Sequence, residues 1–439
     1  MNQLKTKFLN YAIPSALAMF VASLYTVIDG IFVGQGVGDQ ALAAVNIVIP
    51  LTIMLFGMAT MFAVGGGTLI SKNLGSQNKD QANQMFRQVF KFLLILSIII
   101  SITCVLFAKP IVKGLGATDD LMQDATTYLR FYSLFCIPNI IGITLNSFIR
   151  NDGRPKLAML ATMIGAITNI TLDYLFIFPL QMGLIGAAIA TGLGQVLTVV
   201  ILLPHFVRKK GSLSFGNVKL DFKIIKDFIS IGFPSFFAEA AFSIIIFLTN
   251  LALVKTIGES TITAYSIINY LTTPIYLLLL GLAFGSQPLI SYHFGAKESD
   301  EMLKYYRLTN ITSCIINIIF IGLCLFFGRQ VISIFTNDTE IIEVTYIGLN
   351  IVNVAFMLIG INLSTTIYYQ AIESPKYSNW VCACRSLIFL PVVLLIQSKL
   401  LGINGIWASL LTSELLTLLA MSFFTNMKRV TLRTLEIYE

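Results

Sequence analysis

Five ionisable residues of this 439-residue chain stand inside long apolar stretches: Asp29, Arg130, Asp173, Glu239 and Arg385. A charge at the centre of a bilayer costs about 2.5–3.5 kcal/mol on insertion scales, so each marks a candidate functional position. Spacing singles out two of them. Asp29 precedes Gly34 by five residues and Asp173 precedes Pro179 by six. At 1.5 Å per helical residue both acids lie about 7–9 Å from the outer ends of their segments. Thr191 follows Gly183 by eight residues, about 12 Å, in a segment running inward. Asn169 sits one turn from Asp173 on the same helix face, and Tyr25 one turn from Asp29. Tyr128 enters its segment from the same side. Two carboxylates close together in a low dielectric cannot both ionise cheaply, so one takes a proton or the pair shares a cation. Oxygen donors suit a hard cation such as Na+, and the same pair can carry H+. The plainer alternative, both acids resting in the outer headgroup zone, is less favoured by the general behaviour of intramembrane carboxylates.

Glu239 lies about ten residues, roughly 15 Å, into its segment, and Arg385 stands at similar depth in another. Buried charges usually find partners, so these two are expected to pair; the competing role for Glu239 is attraction of a cationic substrate. His205 and His293 fall at cytoplasmic ends of apolar runs and read as interfacial. The six cysteines all lie within apolar runs without a ligand cluster, which reads as inert thiols and no bound metal. No nucleophile, base and histidine constellation can be assembled, so an enzyme is not expected. An ATP-driven pump is excluded by the absence of a Gly-Lys-Ser/Thr phosphate loop and of any large cytosolic domain.

The elements that must position these residues follow from composition. Hydrophobic residues make up 56% of the chain and charged residues 12%, with mean hydropathy +0.82. A soluble globular chain carries about 25% charged residues, roughly twice as many. The chain therefore reads as an all-α integral membrane protein. Runs of about 20 apolar residues are needed per crossing, and twelve occur. They span residues 10–33, 43–71, 88–112, 121–149, 156–179, 183–206, 229–254, 262–291, 306–327, 341–369, 377–398 and 403–426.

The net charge of +7 forms no single basic face, which argues against nucleic acid as a partner. With the N-terminus inside, cytoplasmic segments hold 22 Lys and Arg residues, among them Arg150, Arg154, Arg208, Lys209, Lys210, Lys428, Arg429 and Arg433. The opposite side holds five: Lys109, Lys113, Lys255, Arg329 and Lys399. Such asymmetry sets orientation, so both termini are expected in the cytoplasm of a multi-pass protein of the cell inner (plasma) membrane.

The chain also repeats. With its second half laid on its first, Pro14-Ser15 meets Pro234-Ser235, Gly38 meets Gly258, and Leu69-Ile70-Ser71 with Gly75 meets Leu289-Ile290-Ser291 with Gly295. In the same register Pro155-Lys156 meets Pro375-Lys376, and one position short of it Gly183 with Gly186 meets Gly402 with Gly405. Six crossings per repeat is an even number, so the two six-helix lobes are parallel and related by a pseudo-twofold axis along the membrane normal. The expected division is an N-lobe over 1–207, a cytoplasmic linker over 208–228 and a C-lobe over 229–439.

The stretch Tyr25-Thr-Val-Ile-Asp29-Gly-Ile-Phe-Val-Gly34, followed by Gly38 and Ala41-Leu42-Ala43-Ala44, resembles the first span and loop of multidrug and toxic compound extrusion (MATE) transporters. Asn169-Ile-Thr-Leu-Asp173 and Gly183-Leu-Ile-Gly186-Ala-Ala-Ile-Ala-Thr191 resemble that family's fifth and sixth spans. The resemblance covers the whole chain and is closest to the bacterial and archaeal type with its acids in the N-lobe. It implies a secondary active antiporter that exports small organic, often cationic compounds in exchange for H+ or Na+. No cofactor beyond the coupling ion is implied. On this match Asp29, Asn169, Asp173 and Thr191 form the cation site, with Na+ as the metal they could hold. Tyr25, Tyr128 and Asn146 match residues lining the same cavity, and Pro14 matches the proline at which the first span bends. Another branch carries an acid in span 10, but Ile361-Asn-Leu-Ser-Thr-Thr-Ile-Tyr-Tyr-Gln370 holds none. The expected partners are organic cations and membrane lipid, with the chain acting as a monomer. The competing class, a flippase of lipid-linked precursors, would favour a basic cavity and extra terminal spans.

Overall fold

A computed structural model describes residues 2–256 and 260–424 together with Val430 and Thr434. Gly258, Lys428, Arg429 and Arg433 lie outside them. Among the described residues every regular element is a helix, because long apolar runs in lipid can satisfy their backbone only internally. The first half forms α1 (Asn2–Gly36), α2 (Asp39–Gly75), α3 (Lys79–Leu106), α4 (Ala108–Gly114), α5 (Asp119–Leu134), α6 (Cys136–Asn151), α7 (Pro155–Ile177) and α8 (Gly183–Val207). The second forms α9 (Phe222–Thr256), α10 (Ser260–Gly295), α11 (Ser299–Ile332), α12 (Thr339–Ala371), α13 (Pro375–Ala383) and α14 (Phe389–Phe424).

Local chemistry sets the ends. Asn78 accepts a hydrogen bond from the Gln81 N–H (3.1 Å) at the start of α3, and Asp338 accepts from Glu340 and Ile341 (2.9 and 3.3 Å) at the start of α12. Pro155 and Pro375 open α7 and α13, where a missing N–H costs nothing. Helices α5 and α6 meet at a 52° bend and make one broken span. α13 runs through a π-helical turn, Cys384–Ile388, into α14, which changes direction at Gly402 (φ 57°, ψ −133°). That backbone conformation is open to glycine alone, and it divides spans 11 and 12. With the broken pair counted once and α14 divided at Gly402, the helices among the described residues are consistent with a twelve-helix, two-lobe architecture.

Two compact units divide the chain. One comprises Ile13–Phe236; the other comprises Met1–Ala12 and Phe237–Glu439. The boundaries fall inside α1 beside Pro14 and inside α9 beside Pro234. Within the first unit, Phe62, Phe86, Phe148, Phe206 and Phe228 share a buried core, with Phe86 and Phe206 stacked at 4.8 Å. Residues 212–221 are pinned across it: Asn83 donates to Ser212 O (2.6 Å), Arg87 to Ser214 O (3.0 Å) and Lys91 to Val218 O (2.8 Å). A second cluster around Val33, Ala44, Tyr128 and Ala188 packs separately. In the other unit Phe8 is buried and Lys7 Nζ lies 5.2 Å from the Tyr292 ring centre. Exposed Ile98, Ile99 and Ile102 on α3 and Ile318 and Ile319 on α11 give the apolar surface that acyl chains require.

Two expectations need correction. Arg150 is not a solvated loop charge: it is buried in the last turn of α6, where Nη1 donates to Asn146 Oδ1 (2.9 Å). The histidines are not simply interfacial. His205 Nε2 lies 2.7 Å from Asp152 Oδ2 with both side chains buried, and His293 Nδ1 pairs with Glu298.

Candidate ion-binding site

The site lies within the unit Ile13–Phe236 and rests on one close helix contact. A β-carbon on Gly165 would stand 2.8 Å from Gly194 O, and one on Gly194 would stand 2.7 Å from Gly165 O. Without side chains there, α7 and α8 approach backbone to backbone, as small residues permit in membrane helices. One turn beyond this contact Asn169 faces Thr191. Asn169 Nδ2 donates to Asp173 Oδ2 at 2.8 Å and reaches Thr191 Oγ1 at 3.4 Å.

α1 brings Asp29 to the same place. The Asp29 and Asp173 carboxyls lie close enough to interact electrostatically, and two carboxylates so near each other in a low dielectric cannot both ionise cheaply. Asp173 and Asn169 are almost wholly buried, at 1% and 3% exposure. Three further oxygens are buried without any donor: Asp29 Oδ1, Asn169 Oδ1 and Asp173 Oδ1. Unsatisfied buried acceptors are costly, and oxygen is the ligand type that hard cations take.

An aromatic and amide wall adjoins the acids. Tyr25 lies beside Gln195, and both Tyr25 and Tyr128 are within electrostatic range of Asp29 and Asp173. Tyr128 stacks on Tyr132 at 6.1 Å, and Asn139 Nδ2 donates to the Tyr132 hydroxyl (2.8 Å). Gln195, Tyr132 and Asn139 were not singled out from sequence. Gln195 follows Thr191 by one turn, a helical spacing that could have flagged it. Asn146 is not brought to the acids: it donates to Ala158 O and Thr162 Oγ1, both at 2.9 Å, and accepts from Arg150. Pro14 lies within the unbroken helical run of α1, and Arg130 is exposed on α5.

The expected pairing of Glu239 with Arg385 does not form. Arg385 instead donates through Nε (3.0 Å) and Nη2 (2.6 Å) to Glu414 Oε1, with side chains 8% and 1% exposed. Glu414 Oε2 accepts from Asn362 Nδ2 at 2.7 Å, which completes its shell. Glu239 makes no ion pair or hydrogen bond among the described residues and lies near Tyr276. Glu414 was missed, although a lone acid in the run Ala408–Ala420 was itself a signal.

Comparison with known proteins gives a consistent pattern. The family model described as MatE matches twice, over residues 14–175 and 234–395, two stretches that open on the repeated prolines Pro14 and Pro234. A "Multidrug export protein MepA" from Staphylococcus saprophyticus is 26% identical over 416 residues, covering 94% of this chain and 91% of its own. Its counterpart from Staphylococcus aureus strain MSSA476 is 26% identical over 438 residues, covering 98% and 96%. Among solved structures, an outward-facing multidrug resistance MATE family transporter superimposes with TM-score 0.92 at 23% identity, covering 99% of this chain and 97% of its own. A transporter from Pyrococcus furiosus, described as having a binding pocket of reversed polarity, gives TM-score 0.90 at 23% identity with the same coverage.

Proposed function

The chain belongs to the MatE family, and from that premise we propose that it is a secondary active exporter of small organic compounds, many of them cationic, driven by inward movement of H+ or Na+. It is a transporter and not an enzyme. Asp29, Asn169, Asp173 and Thr191 hold the coupling ion in the N-lobe, with Tyr25 and Tyr128 walling the cavity. The convergence of three donor-less buried oxygens on Asp29, Asn169 and Asp173 carries this reading, because a cation supplies what each of them lacks. A proton held between Asp29 and Asp173 serves the same end by removing one charge. Ion and proton therefore compete for one place. The drive arises from the ion's unequal affinity for the alternating states, which is the only means by which a ligand shifts such an equilibrium. Export in this scheme is carried out by a monomer in the plasma membrane with both termini in the cytoplasm.

The decisive experiment is uptake and efflux of a fluorescent organic cation in proteoliposomes under separately imposed Na+ and pH gradients. One gradient is expected to drive transport, and Asp29→Asn and Asp173→Asn each to abolish the driven component while the proteins remain folded. Full gradient-driven transport by both variants overturns the proposed coupling.

A further inference from the structure

The second unit contains a cavity of about 70 Å³ bounded by α9, α10, α12, α14 and the π-helical turn. One water needs about 10–15 Å³ of such space, so this volume is several waters or one small ring. The internal repeat locates it. The register that sets Pro14 on Pro234 carries Tyr25 to Ile245 and Asp29 to Thr249, and the register that sets Gly183 on Gly402 carries Thr191 to Leu410. All three counterparts line the cavity. The second unit thus keeps a chamber at the repeat-equivalent place of the acidic site but lacks acids at these positions.

Its charge enters elsewhere and with the opposite sign at the wall. Arg385 lines the cavity from the π-helical turn, a distortion frequent at functional sites. Nε and Nη2 are taken by Glu414, and Ser413 Oγ donates to Arg385 O (2.7 Å), so the residue is fixed from both ends. Nη1 makes no hydrogen bond among the described residues. The neighbouring hydroxyls offer little competition as donors. Thr272, Thr273 and Ser409 spend theirs on backbone carbonyls of Ile268, Asn269 and Ile406. Thr249, Asn269 and Tyr276 add further polar groups, and the rest of the wall is apolar and aromatic, with Ile268, Phe356 and Ile359 beside a stacked Tyr265–Trp407 pair at 5.9 Å. Glu414 neutralises the guanidinium, so a full anion gains no net counter-charge here.

We propose that this chamber is a binding site for an uncharged, ring-sized aromatic molecule whose hydrogen-bond acceptor is met by Arg385 and whose ring packs against the Tyr265–Trp407 side. The site is separate from the acidic cluster and does not depend on ion coupling.

The test uses full-length protein in lipid nanodiscs, with fluorine NMR of para-fluoroacetophenone as the acceptor-bearing probe and para-fluorocumene as its acceptor-free analogue. The ketone is expected to bind saturably, with the hydrocarbon about tenfold weaker, the loss of one hydrogen bond to a charged donor. Val352→Phe fills the chamber from a lining position without touching the Arg385–Glu414 pair and is expected to abolish saturable binding. Asp29→Asn is expected to retain it, which separates failure of this site from failure of the coupling mechanism. Non-saturable partitioning of the ketone, equal affinity for both probes, or undiminished binding in Val352→Phe overturns the proposal; the first of these means a chamber filled by water or acyl chains only.

Discussion

Charge inside this protein is handled in two different ways. Glu414 is saturated: its two carboxylate oxygens have donors in Arg385 and Asn362, and Ser413 holds the arginine backbone. Asp29, Asn169 and Asp173 leave three buried oxygens unanswered. The first arrangement is a structural one, and removing half of it exposes a buried unpaired charge. Glu414→Ala is therefore expected to cost about 3–5 kcal/mol, read as a lowered thermal midpoint in detergent. Glu239→Gln, at a carboxyl with no ionic partner among the described residues, is expected to leave that midpoint nearly unchanged and to alter preference between cationic and neutral substrates in efflux assays. The grouping of Asp29, Asn169, Asp173 and Thr191 was legible in the sequence because helical rise converts spacing into depth, and depth set four oxygen-bearing residues at one level. Arg385 was misassigned for the same reason: depth alone cannot choose between two acids on different helices, and azimuth around each helix decides which one it meets.

At the scale of elements, the twelve apolar runs were readable from length and hydropathy, while breaks within them were not. The 52° bend between α5 and α6 falls within one apolar run beside Ser133, Pro138 and Asn139, and the π-helical turn holds Arg385 and Ser386; such residues occur in straight helices too and fix neither a break nor its angle. The α7–α8 contact was also invisible, since Gly165 and Gly194 belong to different spans and only the fold makes them neighbours. That contact gives a sharp test. A methyl on Gly194 meets the carbonyl of Gly165, and backbone cannot yield as a side chain can. Gly194→Ala is expected to cost about 1–3 kcal/mol and to abolish ion-driven transport by parting Asn169 from Thr191. Gly322→Ala on α11, where nothing lies within 4 Å, is expected to be neutral or slightly stabilising by thermal unfolding.

At the scale of the whole molecule, the repeat and the charge asymmetry make a joint claim about direction. Two family matches in the register of the internal repeat mean that each unit is built on the same six-span plan. An even number of crossings then forces equivalent loops of the two repeats onto one side of the membrane. The Lys and Arg residues favour the side holding Lys72, Lys79 and Lys156 in the first repeat and Lys297 and Lys376 in the second. Burial of Arg150 removes one residue from that count without disturbing the asymmetry. On the proposed orientation α1 carries Asp29 towards the external medium. Gln35, exposed beyond Asp29 at the far end of α1, reports this directly. With the six free cysteines replaced, Gln35→Cys is expected to react with a membrane-impermeant maleimide added to intact cells, and Asn78→Cys only after the membrane is opened. Labelling in the reverse pattern would place the acidic pair near the cytoplasmic face, where an inward ion gradient could not load it first, and the direction of transport would have to be reversed.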